Sequence, residues 1–303
     1  MKGIRSYYNG NVFTIIDLDT GTKQHFTKDD EFNYDFAECC DVNISNRCNN
    51  GCLECSYGCT PTGAFGELCD WKFLDTMHPY TEIAINIQDP LPPNLLPFLT
   101  KMKNKKVIVN CTVNQNHFMR EDFQMLFEYL IENELINGIG ISLMDPTQEG
   151  FVDTVKKYPT AVIHVIAGYT HPEDIGFLMG DGLKILILGY KTKGRGFDYF
   201  LDNAETILEN IKWLASSIDE IFDGFDTVSF DNLAIRQLDL ESKIPPNEWE
   251  VIYCGEDGTN TFFIDLVTGT FAVSSISDTH YDIGNLSIDE MFKVIRSEDE
   301  TGN

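Results

Sequence analysis

The stretch DVNISNRCNNGCLECSYGCTP, residues 41–61, decides how this chain is read. It starts as a strand, because Val42 and Ile44 alternate with Asn43 and Ser45 at the two-residue period of a sheet. It then opens into a loop around Asn49-Asn50-Gly51 and sets Cys48, Cys52 and Cys55 at C-x₃-C-x₂-C spacing. On a short, glycine-containing loop that spacing lets three thiolates converge on one small object. Three ligands to a four-iron cube leave one iron open, which separates a reactive centre from a closed structural one. The same cysteines admit other readings. A structural zinc site could use Cys48, Cys52, Cys55 and Cys59, although zinc sites more often join two separated pairs and no second C-x₂-C pair exists. A ferredoxin-like carrier could use Cys52, Cys55 and Cys59 with nearby Pro61, but ligands for its second cluster are missing.

Downstream of this loop, apolar strands are expected at 81–87, 107–113, 137–143, 160–166, 182–189 and 226–231. Helices are expected between them near 66–78, 93–104, 118–134, 147–157, 171–179 and 202–221. Strands alternating with helices imply a parallel sheet. The strands are two-faced. Val107, Val109, Cys111 and Val113 alternate with Ile108, Asn110, Thr112 and Asn114, and Ile83, Ile85 and Ile87 alternate with Ala84, Asn86 and Gln88. A doubly wound sheet covers both faces with helices and needs apolar strands throughout. Polar residues on one face fit a barrel whose lumen holds a ligand. The expected fold is therefore α/β: a partial (β/α)₆ barrel over residues 41–231, an N-terminal β-meander over 1–40, and a small C-terminal β-rich subdomain over 232–303. In the meander, Asn9-Gly10 reads as a hairpin turn before Val12–Asp17. In the tail, Tyr253, 261–266 and 270–274 read as strands. A helix over 287–296 carries Leu286, Ile288, Met291, Phe292 and Ile295 at helical spacing, and the tail either closes the barrel or packs outside it.

The cysteine spacing directly after a first strand resembles the radical S-adenosylmethionine (SAM) superfamily. The segments GAFGEL at 63–68 and ILGYKTKGRG at 187–196 look like uncharacterised members from bacteriophages and their hosts. The resemblance implies a [4Fe–4S] cluster on Cys48, Cys52 and Cys55, with SAM chelating the fourth iron. An electron from the cluster would cleave SAM to methionine and a 5′-deoxyadenosyl radical, which takes a hydrogen atom from a peptide or small-molecule substrate. It also implies a reducing partner such as a flavodoxin or ferredoxin. Two positions depart from the family pattern. Glu54 stands where an aromatic residue usually packs near the adenine, a role Tyr57 could fill. Asn86-Ile87-Gln88-Asp89 stands where a Gly-Gly-Glu type segment usually binds the SAM amino group, so Asn86 and Gln88 are candidates for that end. Ser142 is a candidate for the ribose, Tyr190 for the adenine region, and His164, sharing lumen parity, for a place near SAM. These departures keep open an alternative, a cluster- or zinc-binding protein without SAM chemistry that acts by interaction.

Composition narrows the classes further. The chain has 303 residues, 48 acidic against 22 basic, for a formal net charge of −26. Phosphate contacts supply most of the affinity of a nucleic-acid binder, so this balance disfavours duplex nucleic acid. No apolar run reaches the ~20 residues of a membrane span, and the start lacks the pattern of a signal peptide; a cytoplasmic protein is expected. Nine cysteines, six of them within 39–59, do not suit a disulfide framework. Lys191, Lys193 and Arg195 could bind a carboxylate or phosphate of the substrate, or simply form a solvated loop. The G-x-G at 194–196 lacks the rest of a phosphate-loop pattern.

Overall fold

The computed structural model describes residues 2–299. Strands β1 (Ile4–Asn9), β2 (Val12–Asp17) and β3 (Lys23–Phe26) form an antiparallel three-stranded sheet. The turn at Gly10 has φ +62°, and a side chain there would run into the Asn33 carbonyl, so the Asn-Gly pair is required twice over.

The second sheet has ten strands. β4 (Cys39–Asn43), β5 (Glu82–Ile87), β6 (Ile108–Asn114), β7 (Gly138–Ser142), β8 (Ala161–Ile166), β9 (Lys184–Leu188) and β10 (Thr227–Phe230) lie parallel in chain order. Beyond β4 come β11 (Thr261–Asp265), β12 (Thr270–Ala272) and β13 (Tyr281–Asp282). β11 is parallel to β4; β12 and β13 return antiparallel. The fold is α/β with a large, mostly parallel sheet. Helices between the strands cover one face. In Leu95–Lys105 the buried residues Leu95, Phe98, Leu99 and Met102 recur at i, i+3, i+4 and i+7, and Lys106 in the left-handed region ends the helix. In Glu121–Glu132, Phe123, Phe127 and Leu130 face inward while Glu121 and Asp122 sit at the positive end of the helix dipole. No described helix is long and apolar enough to cross a membrane.

The two-faced strands pack as their parity requires. Ile83, Ile85, Ile87, Val109, Cys111, Val113, Ile163 and Val165 are buried in the helix-facing core, and Asn86, Thr112, Asn114 and His164 take the opposite face. The tail departs from expectation in three places. Tyr253 is no strand residue: Pro246 opens a helix, Pro246–Ile252, and Tyr253 caps it while stacking on Trp249 at 4.6 Å. A helix at Asn232–Leu238 follows β10, started by the Asp231 carboxylate, which accepts from Ala234 N at 2.7 Å. The C-terminal strands also do not stand apart. β11 pairs with β4 from Thr261↔Cys39 to Asp265↔Asn43 and so continues the main sheet.

The meander covers the N-terminal ends of the strands, where Ile16 and Leu18 pack with Ile108 over a cavity of about 410 Å³. Its anchor is Glu38, 2% exposed. Glu38 accepts from Tyr7 Oη at 2.9 Å and Thr14 Oγ1 at 3.0 Å and lies 2.6 Å from His25 Nε2. Burial alone would raise the Glu38 pKa, but His25, Lys23 and Tyr7 outweigh it and hold it below the usual carboxylate value. A depressed carboxyl contributes stability that is complete above its unfolded pKa of about 4.3 and fades as pH falls through its lower folded value. Glu38→Gln is expected to cost about 3 kcal/mol at neutral pH. Thermal melts between pH 7 and pH 3.5 should show the gap between wild type and variant narrowing as the pH falls.

Candidate active site

At the C-terminal ends of the strands, the face turned away from the helices borders a cavity of about 320 Å³ that draws residues from each of β4 to β9. Cys48, Cys52 and Cys55 border it, and so do Tyr57, Asn86, Gln88, Ser142, His164 and Tyr190. Residues chosen from five separate segments of sequence thus meet around one space.

The cysteine loop is braced on every side. Ser45 bridges to Phe65 and Arg47 to Thr60, and Cys48 N donates to Thr60 O at 2.9 Å. Asn50 donates from its side chain to Cys52 Sγ at 2.9 Å and from its backbone toward Cys48 Sγ at 3.4 Å, and Asn114 Nδ2 reaches Cys52 Sγ at 3.5 Å. The start of helix Arg195–Ser216 carries the strongest brace. Arg195 Nε donates to Cys52 O at 2.7 Å, its Nη1 to Cys59 O at 2.6 Å, and its backbone N to Cys55 O at 3.0 Å. This approach needs Gly194, at φ +55°, because a Cβ there would lie 2.6 Å from both Cys55 O and Ser56 O. Gly196 is equally confined, against Lys191 O and Glu54 O. The G-x-G with its arginine therefore serves the cysteine loop. Lys191 and Lys193 turn elsewhere, Lys191 Nζ to Ser275 Oγ at 2.9 Å and Lys193 Nζ to Ser277 O at 2.9 Å. None of the three is a free anion ligand.

Burial raises the Cys48 thiol and, with Glu54 nearby, pushes Cys52 up to about 12. Cys55 moves the other way: the hydrogen bond from the Cys59 thiol lowers it and raises Cys59 in turn. Among the described residues, no three His, Cys, Asp or Glu side chains are disposed to hold a single metal ion. Three thiols around one cavity, with amide donors aimed at two of the sulfurs, have the donor chemistry of a thiolate-bound cluster.

Asn86 does more than line the cavity. Its Oδ1 accepts from Ile44 N at 2.8 Å and its Nδ2 donates to Ser45 O at 2.9 Å, continuing the β4–β5 ladder with a side chain where the backbone diverges. Gln88, with its amide nitrogen turned toward the carbonyls, donates to Ser45 O at 3.2 Å and Arg47 O at 3.1 Å and accepts from Asn86 Nδ2 at 2.7 Å. Both amides hold the loop entrance. Ser142 and His164 are register partners on β7 and β8. The imidazole lies over Gly140, where a Cβ would collide with the ring, and its Nδ1 is buried without a partner among the described residues. Burial depresses His164 to about 4, so the ring is neutral at physiological pH. Tyr190 is 4% exposed, its hydroxyl donating to Gly196 O at 2.8 Å. Tyr57 stacks on Phe263 of β11 with ring centroids 6.3 Å apart, on the β4 side of the cavity.

Sequence reasoning missed several wall residues. Glu54 presents a carboxylate oxygen buried without a partner among the described residues, and its other interactions involve Tyr169. His117 is 5% exposed and stacked on Phe123 at 5.2 Å. Asp41 and Asn114 also face the cavity. Strand parity marks both of the last two, Glu54 is marked only by its place before Cys55, and nothing local marks His117.

No protein-family model matches the chain, and no curated protein matches its sequence. Solved structures do match. Streptococcus suis SuiB bound to S-adenosylmethionine superimposes with a TM-score of 0.60 at 10% identity, over 96% of this chain and 87% of SuiB. A second SuiB crystal structure gives 0.58 at 11% identity, with the same coverage. Native anSMEcpe with bound AdoMet gives 0.50 at 15% identity, over 86% of this chain and 82% of the other. The chain has the fold of these proteins. The match extends across most of each chain, so the meander and the C-terminal strands fall within it along with the central sheet.

Proposed function

We propose that the chain is a radical SAM enzyme. It would hold a [4Fe–4S] cluster on Cys48, Cys52 and Cys55, bind SAM in the adjoining cavity, and abstract a hydrogen atom from a peptide or small-molecule substrate. The observation that carries this is the meeting of the three cysteines with the polar face of six successive strands around one cavity. Kinship in fold with two proteins crystallised with S-adenosylmethionine supports it. The open sheet is read as a partial barrel over residues 41–231, since a flat sheet could not bring β4 and β9 to one pocket. On this reading the described part of the 1–40 segment covers its base and that of the 232–303 segment extends its edge.

When bound to Cys48, Cys52 and Cys55, the cluster would supply the electron for homolytic cleavage of SAM, received from a reducing partner such as a flavodoxin or ferredoxin. The chain's own residues prepare the place. Arg195 and the Asn50 amide fix the loop, and N–H donors to sulfur favour thiolate over thiol. His164, neutral, offers a hydrogen-bonding edge without a competing charge, and Ser142 a hydroxyl beside it. Ile166, Leu186 and Leu188 give one wall an apolar surface that keeps water from a reactive radical.

One observation favours a second reading, a cluster protein without SAM cleavage. Asn86 and Gln88, the nearest counterparts of an amino-group ligand, are committed to Ile44, Ser45 and Arg47. Anaerobic reconstitution with iron and sulfide, then dithionite and SAM, separates the two. The enzyme reading expects 5′-deoxyadenosine by mass spectrometry. A loaded cluster that neither binds SAM nor yields the nucleoside selects the second reading. Stoichiometric zinc in anaerobically purified protein that never loads iron defeats both.

A further inference from the structure

Asp41 is the one carboxylate on the cavity wall of β4, and the structure leaves it without work. Its neighbours in sequence, Cys40 and Val42, are packed in the core on the opposite face, so strand parity directs the Asp41 side chain into the cavity. Among the described residues it makes no side-chain hydrogen bond and no ion pair. The other acids whose fields reach it are accounted for. Asp231 accepts from Gly189 N at 2.9 Å and caps the helix at Asn232–Leu238, and Asp257 accepts from Asn232 Nδ2 at 2.8 Å with Arg236 3.6 Å away.

The two cations bordering the cavity are also engaged. Lys191 holds Ser275, and Arg195 holds the cysteine loop. The nearest aromatic surface is the Tyr57–Phe263 stack, with Phe263 the register partner of Asp41 across β4 and β11. A carboxylate open to the cavity, with no hydrogen bond or ion pair among the described residues and with the Tyr57 ring within reach of its field, is chemistry that recognises a cation.

We propose that the substrate of this cavity presents a positively charged nitrogen group, an amine or guanidinium, to Asp41 and the Tyr57 ring. This deepens the enzyme reading and rests on it for the word substrate, while the site itself is present whether or not a cluster is loaded. Asp41 binds the charge by a charge-assisted hydrogen bond. The chain's net charge of −26 adds long-range attraction for such a ligand. Although Asp41 is open to the cavity, the surrounding walls, with Asp231 and Asp257 nearby and Lys191 only partly offsetting them, raise its pKa.

The test measures binding calorimetrically to reconstituted protein with SAM and, separately, to cluster-free protein. The probes are Nα-acetyl-lysine amide, Nα-acetyl-arginine amide, cadaverine, and Nα-acetyl-norleucine amide as the uncharged counterpart. A basic probe is expected to bind at least about tenfold tighter than the norleucine derivative, and Asp41→Asn to erase the difference while leaving SAM affinity unchanged. Preference for the blocked amino acids over cadaverine assigns the group to a peptide side chain, and the reverse to a free amine.

Three results overturn the proposal: equal binding of charged and uncharged probes, no binding of any, or a variant that weakens SAM instead. The wild-type comparison stands even if Asp41→Asn does not fold. Selectivity in cluster-free protein, with no nucleoside released from SAM, would defeat the enzyme reading alone.

Discussion

Alanine in place of Cys48, Cys52 or Cys55 is expected to take iron from about four atoms per reconstituted chain to background and to abolish 5′-deoxyadenosine formation. A cube bound through three protein thiolates loses a corner with each substitution, and the further thiol on the cavity wall, Cys59, is hydrogen-bonded to Cys55. Cys254→Ala, at an exposed position in the tail, should leave both readouts unchanged. Cys59→Ala separates cluster from zinc. A four-thiolate zinc site would lose its metal, whereas the cluster reading keeps the iron and expects only an altered Cys55 environment, since Cys59 is the group that hydrogen-bonds it. Iron analysis, the visible spectrum and nucleoside release check all five variants.

Deleting residues 245–303 is expected to abolish folding, with the shortened chain insoluble or unfolded by far-UV circular dichroism. β11 lies between β4 and β12, so the truncation strips an interior strand and exposes the edge of β4 beside the cysteine loop. It also removes Phe262, Phe271 and Phe292, all within 2% of complete burial. Each such phenylalanine is worth about 3–5 kcal/mol in a core, and together they rival the roughly 5–15 kcal/mol by which a domain is stable. A milder change isolates what the tail does at the cavity. Ser275→Ala, which frees Lys191 Nζ, should keep the fold and alter only the charge balance near Asp41.

Much of the architecture was legible because it rests on period. The strands at 81–87, 107–113, 137–143 and 160–166 are found within a residue or two of their expected bounds, since apolar alternation reports directly on which face is packed. The same parity brought Asn86, Ser142 and His164 to one cavity. Contacts made between distant segments carry no such signal. Arg195 read as a free cation because its partners, Cys52 O and Cys59 O, are backbone atoms more than a hundred residues away. Asn86 and Gln88 read as ligand amides because nothing local shows the ladder failing beside them. Tyr57, offered for the adenine, stands by Phe263 because β11 comes back to pair with β4, a long-range pairing that no local pattern announces.

The Gly194–Arg195 brace bears on how the proposed cluster would be acquired. In small zinc modules the ligand loop is shapeless until the ion arrives, and binding energy is consumed in ordering the chain. Here the helix start already grips three carbonyls of the loop, those of Cys52, Cys55 and Cys59, through protein contacts alone. On the cluster reading, the loop's shape is set by the polypeptide itself. If the loop holds a cluster as proposed, assembly machinery would meet a folded client with its thiols displayed, and oxygen damage to the cube would leave a scaffold that can be refilled rather than a chain that must be remade.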